Sequence, residues 1–155
     1  MVSIIEFTAI LSAVAGLLLI IFTVAQLLHM EKHRNVEISM KLFEWAETDR
    51  LRKAFRWVEE EFQFDKPRRA DGKISFEESD YLYEVAGFFE QVGFLVEKKF
   101  VDLDVVDDRL GSYIIADWKK LEPWIVAHRK EKGDESFGEH FQKLYERTVK
   151  YFRKR

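Results

Sequence analysis

The segment Asp71-Gly-Lys-Ile-Ser-Phe-Glu-Glu78 has the spacing of the second half of an EF-hand calcium loop. Gly72 stands at the turn, Ile74 at the hydrophobic position, and Glu78 where a bidentate carboxylate closes the ion's shell. The first half does not follow. With Gly72 sixth in the loop, the first and third ligand positions fall on Pro67 and Arg69, and neither side chain coordinates calcium. Lys66, Arg68, Arg69 and Lys73 crowd the same stretch with positive charge. The segment therefore reads as a loop leading into a helix cap. A second grouping, His29, His33 and Glu37, recurs at steps of one helical turn, as zinc ligands on a helix do. The chain has no cysteine, and His128 and His140 lie far along it, so the remaining shell is not supplied. These histidines read as side chains at a bilayer edge, and no metal or other cofactor is expected.

Ser, His and Asp are present, but in no nucleophile-elbow arrangement and with no glycine-rich phosphate loop. Gly87 and Gly93 fall inside an apolar helical pattern and suggest close helix packing. Asp107, Asp108 and Asp117 read as solvated helix faces. No enzyme signal emerges. A net charge of −3 also argues against nucleic acid as a partner.

The elements that must position these residues are helical, because apolar spacing of three and four residues prevails and period-two alternation is absent. Leu51, Phe55, Val58 and Phe62 mark a helix opened by Thr48 or Asp49. After the loop Asp65–Lys73, Ser75 and Glu78 form a capping box for a helix with core positions Leu82, Val85, Phe89, Val92 and Val96. Asp102 opens the next, which carries Val106, Leu110, Ile114, Trp118 and Leu121. Pro123 either kinks that helix or begins a short one ending near Gly133. Ser136 and Glu139 suggest a second capping box, before a helix that buries Phe137, Phe141, Leu144, Tyr145, Thr148 and Phe152.

Ahead of all this, residues 7–28 are twenty-two in a row without a charge, thirteen of them Leu, Ile, Phe or Val. At about 1.5 Å per residue the run spans roughly 33 Å, the thickness of a bilayer's hydrocarbon core. No basic n-region precedes it, which argues against a cleaved signal. The expected architecture is all-α: a short external N-terminus (1–6), a transmembrane helix (7–28), and a cytoplasmic domain (29–155) of about five helices. Lys32, Arg34 and Lys41 follow the span and no Lys or Arg precedes it, so the N-terminus is expected outside and the domain inside the cell membrane. Ala9, Ser12, Ala13 and Gly16 form a small-residue face on which two spans can approach. At the far end, Lys143, Arg147, Lys150, Arg153, Lys154 and Arg155 make residues 139–155 basic, with a local charge of +4, a pattern attracted to an anionic leaflet.

Val85-Ala-Gly-Phe-Phe-Glu-Gln-Val-Gly-Phe-Leu-Val96, Val101-Asp-Leu-Asp-Val-Val106, Leu110-Gly-Ser-Tyr-Ile-Ile115, Trp118, Leu121-Glu-Pro-Trp124 and Arg129 occur in a characteristic order. In this the chain resembles an uncharacterised family of short bacterial and archaeal proteins with one N-terminal span and a helical cytoplasmic domain. The resemblance implies membrane location and an all-helical fold, and no activity. Within the matching segments, Glu90 and Arg129 lie in apolar surroundings, so a contact between them, or another basic partner for Glu90, is expected. The leading functional expectation is a membrane-anchored module that binds a protein partner or itself. The alternative is a membrane-bound regulator or sensor of a small ligand or ion. An exposed aromatic patch including Trp45, Trp57 or Trp124 favours the first, and a closed polar pocket the second.

Overall fold

In a computed structural model, which describes residues 4–65 and 75–153, the chain forms five α-helices, and no strand occurs among the described residues. They are α1 (Ile4–Ala46), α2 (Asp49–Glu60), α3 (Phe76–Glu97), α4 (Leu103–Lys132) and α5 (Glu139–Phe152). The chain divides into two compact units, one up to Glu37 and one from Ile38 onward.

The first unit is the N-terminal part of α1. Among its described apolar side chains none is buried: Leu17, Ile20 and Phe22 are each about 60% exposed. The helix is long and apolar enough to cross a membrane, with a mean hydropathy of 2.5 over its most apolar window. Thr23 Oγ1 donates to the carbonyl of Leu19 (2.8 Å), so this hydroxyl is satisfied by its own helix.

The second unit is a bundle around Leu82, Val85, Phe88, Phe89 and Val92 of α3. Phe141 of α5 stacks on Phe89 (centroids 4.6 Å apart), and Trp118 of α4 meets Phe141 edge-on at 5.0 Å. α2 closes the other side with Leu51, Ala54 and Val58. At α3 the capping box forms as expected: Glu78 N–H donates to Ser75 Oγ (3.1 Å) and Ser75 N–H to Glu78 Oε2 (2.7 Å). α4 runs unbroken through Pro123 and stops at Gly133, whose φ of 67° is the left-handed conformation that ends helices.

Four expectations are corrected. Phe152, at the last position of α5, is 45% exposed instead of buried. Ser136 and Glu139 form no capping box: α5 starts from Gly138 with φ 71°, and Ser136 Oγ instead donates to Asp134 Oδ1 (2.6 Å). Gly138 is drawn into the core, where a Cβ would sit 3.1 Å from Ile125 Cγ2. Asp107 and Asp117 are buried, at 3% and 4% exposure, instead of lying on solvated faces. Of the two α3 glycines only Gly93 serves close packing. A Cβ there would lie 2.2 Å from the carbonyl oxygen of His140, whereas Gly87 has nothing within 4 Å.

Candidate functional site

Glu90 and Arg129 are both half-buried, but they do not pair with each other. Glu90, one turn before Gly93, accepts hydrogen bonds from the backbone N–H groups of His140 (3.2 Å) and Phe141 (2.9 Å). Its carboxylate thereby caps the first turn of α5, where free amides and the helix dipole favour an anion. Arg129 Nε donates to the carbonyl of Phe137 (2.7 Å), and its guanidinium to Gln142 Oε1 (3.1 Å). The expected ion pair is thus replaced by two separate grips on the start of α5, because that turn offers backbone groups of both polarities. Both contacts hold the start of α5 in place, and the second terminal nitrogen of Arg129 is buried with no hydrogen-bond partner among the described residues.

Ring contacts join Tyr83, Trp124, His128 and Phe137 beside that turn, with His128 and Phe137 centroids 4.4 Å apart. Trp124 is buried, while Trp45 and Trp57 are half-buried against Phe88 and Tyr81. The tryptophans therefore make no exposed patch. On α5, Lys143 is engaged by Glu97 (3.4 Å) and Glu139 (2.6 Å), and this pairing raises its pKa. His140 Nδ1 lies 3.1 Å from Glu97 Oε2; that hydrogen bond and Lys143 hold the Glu97 carboxyl below its ordinary range. Arg147, Lys150 and Arg153 are exposed, and Lys154 and Arg155 lie outside the described residues. Ala9, Ser12, Ala13 and Gly16 share one face of α1, and among the described residues nothing lies within 4 Å of where a Cβ on Gly16 would sit. The calcium-like loop falls almost wholly outside the described residues, as does the His33 side chain. Among the described residues, no three His, Cys, Asp or Glu side chains are grouped to hold a metal ion.

A concavity on the bundle was not anticipated from sequence. It is a cleft of about 410 Å³ where the end of α1, the outer face of α2 and the first third of α4 meet. Phe43, Phe55 and Tyr113 supply apolar walls, with Phe55 and Tyr113 centroids 6.3 Å apart. Arg52, Arg56 and Arg109 and the carboxylates of Glu47, Glu59 and Glu60 line it as well. The Arg109 guanidinium lies over the Phe43 ring at 5.2 Å, a cation–π contact. Arg52, Phe55, Arg56, Glu59 and Glu60 recur on one stripe of α2, which is the signal by which the sequence shows this face.

Behind the cleft, Lys120 of α4 donates to the carbonyl oxygens of Val58 (3.1 Å) and Glu59. One turn earlier, Asp117 is buried with its Oδ2 lacking a hydrogen-bond partner. Burial, reinforced by Glu59 and opposed by Lys120, pushes its carboxyl up to about 7.

The sequence profile of a domain of unknown function, DUF4760, matches residues 10–148. The chain belongs to that family. The DUF4760 match begins inside the apolar run and ends at Thr148 of α5, so most of the apolar run and most of the bundle fall within one family unit. No curated protein and no solved structure matches the chain. Membership in DUF4760 carries no activity to this protein, and the functional reading rests on the geometry.

Proposed function

We propose that this DUF4760 protein is a single-pass, membrane-anchored helical module that presents an interaction surface to protein partners, or to itself, on the cytoplasmic side of a prokaryotic cell membrane. The observation that carries the reading is the cleft formed by α1, α2 and α4. Aromatic walls bordered by arginines and glutamates match the composition of protein interfaces, which combine an apolar centre, aromatic and Arg anchors, and a polar rim. Location is supported by the charge-free run, whose apolar side chains are exposed and are covered if a bilayer surrounds them. Orientation is supported by Lys32, Arg34 and Lys41 on one side of the run against none on the other. Confinement to a surface raises the effective concentration of weakly binding modules, which gives the anchor a purpose.

A second reading, a membrane-bound regulator that takes a small ligand, is favoured by the cleft's size. Its volume lies within the range of small-molecule sites, about 300–1,000 Å³.

The test is affinity purification of the full-length chain in mild detergent beside a version beginning at His29, each with and without Arg56→Glu. Mass spectrometry then identifies what co-purifies. The proposal expects a protein species, this chain's untagged copy included, that is retained by the full-length form and lost on Arg56→Glu. Recovery of no protein dependent on Arg56 contradicts it.

A further inference from the structure

The charge order along α2 runs against its own dipole. After Asp49 come Arg50, Arg52, Lys53 and Arg56, then Glu59, Glu60 and Glu61, with no basic residue in the last turn. A helix favours anions near its N-terminus and cations near its C-terminus, so this arrangement disfavours the isolated helix. Only part of it is compensated within the bundle. Arg50 pairs with Glu84 of α3, Arg52 with Asp49, and Lys120 of α4 brings a cation to the last turn. Arg56, Glu59 and Glu60 are exposed and make no ion pair among the described residues. At i, i+4, Arg56 and Glu60 also stand in the less favourable order, with the cation N-terminal to the anion.

A helix with cations in its first half and anions in its second is complementary to itself when turned end for end. We infer that the α2 face of the cleft docks against the same face of a second copy of this chain, with the two α2 helices antiparallel about a two-fold axis. The inference rests on the interaction-module reading and names the partner. In such a pair, with the two-fold axis crossing α2 midway between residues 56 and 59, Arg56 of each copy lies beside Glu59 of the other, Arg52 reaches back about one turn to Glu60, and the contact is isologous, so it closes at two copies. Phe43, Phe55 and Tyr113, now lining an open cleft, form the apolar centre beneath that charged rim. A parallel arrangement sets arginine against arginine and glutamate against glutamate, so the charge order selects direction as well as partner.

Full-length chain in lipid nanodiscs or vesicles, labelled at Ser112→Cys in a sequence with no native cysteine, reports association by energy transfer between donor and acceptor copies. The wild type is expected to show transfer above the random level, falling as salt is raised. Arg52→Glu with Arg56→Glu makes the stripe wholly acidic, and Glu59→Arg with Glu60→Arg makes it wholly basic. Each double variant alone is expected to associate about tenfold more weakly or worse. Mixing the two restores transfer, and so does placing all four reversals in one chain. This rescue also establishes that the variants are folded. Random-level transfer for the wild type, undiminished transfer for either double variant, or failure of the mixture to recover overturns the inference. So does loss of transfer with Gly16→Leu while the charge reversals have no effect, which assigns pairing to the span. If the wild type stays monomeric in lipid while a different protein co-purifies through Arg56, the self-docking inference falls and the interaction-module reading stands.

Discussion

Lys120 Nζ, projecting from α4, donates to the carbonyl of Val58 at 3.1 Å and also reaches that of Glu59, at the close of α2. A helix with no cation in its own last turn is thereby completed by a cation from a neighbour. The same ammonium is the favourable charge beside the buried Asp117. One side chain thus steadies both the helix that forms the cleft and the carboxyl behind it.

Lys120→Met keeps the aliphatic stem and removes the donor. The expected cost is about 1.5–3 kcal/mol, the range for hydrogen bonds to a charged group. Chemical denaturation measures the loss, and hydrogen exchange should accelerate first at the C-terminal turn of α2.

Asp117→Asn should stabilise the protein at high pH and not at low pH. The folded carboxyl titrates near 7, well above its ordinary range near 4, so the folded state holds a proton that the unfolded chain has released between those values. Stability from this group is therefore full below about pH 4 and declines as pH rises to about 7. At pH 8 the Asn variant is expected to exceed the wild type by on the order of 4 kcal/mol, with the difference vanishing near pH 4. Denaturant midpoints across pH 4–8 check it, and a constant offset is the contrary result.

Glu90→Ala should loosen the start of α5, leaving the N–H groups of His140 and Phe141 without their acceptor. The expected cost is about 1–2 kcal/mol, as for other helix N-terminal caps. Glu90→Gln, which retains one acceptor oxygen, should cost less. Calorimetry measures both, with amide exchange at residues 140 and 141 as the local report.

Gly93→Ala and Gly87→Ala should have opposite effects although both lie in α3. The first forces a methyl group against the His140 carbonyl and should destabilise by about 1–3 kcal/mol, because backbone gives way poorly. The second meets open space and should stabilise by about 0.5–1 kcal/mol through helix propensity. Paired thermal melts distinguish them.

Helix positions were legible in the sequence because core residues recur at helical spacing. Ser75 with Glu78 announced the start of α3, and Gly133 the end of α4. The Ser136–Glu139 box failed because Gly138 takes a left-handed conformation against Ile125, a tertiary demand that a local motif does not record. Buried Asp117 was legible in principle, since it sits three residues after Ile114 and four before Leu121, on the stripe both bury. Asp107 likewise lies three residues before Leu110, and Thr148 Oγ1 meets it at 2.7 Å from the far helix. Residue type outweighed position in both cases. The cleft was hidden for another reason: its walls come from three helices whose pairing no spacing within one helix reveals. Only its α2 stripe, cations before anions, can be seen along a single helix.

The proposed arrangement, a helical domain held by one span on the cytoplasmic side, is tested most directly by labelling intact cells with a membrane-impermeant maleimide, using two single-cysteine chains, Ser3→Cys and Ser112→Cys. In that arrangement position 3 is labelled in intact cells and position 112 only after the membrane is opened. Labelling of position 112 in intact cells, or recovery of the full-length chain in the soluble fraction, contradicts it.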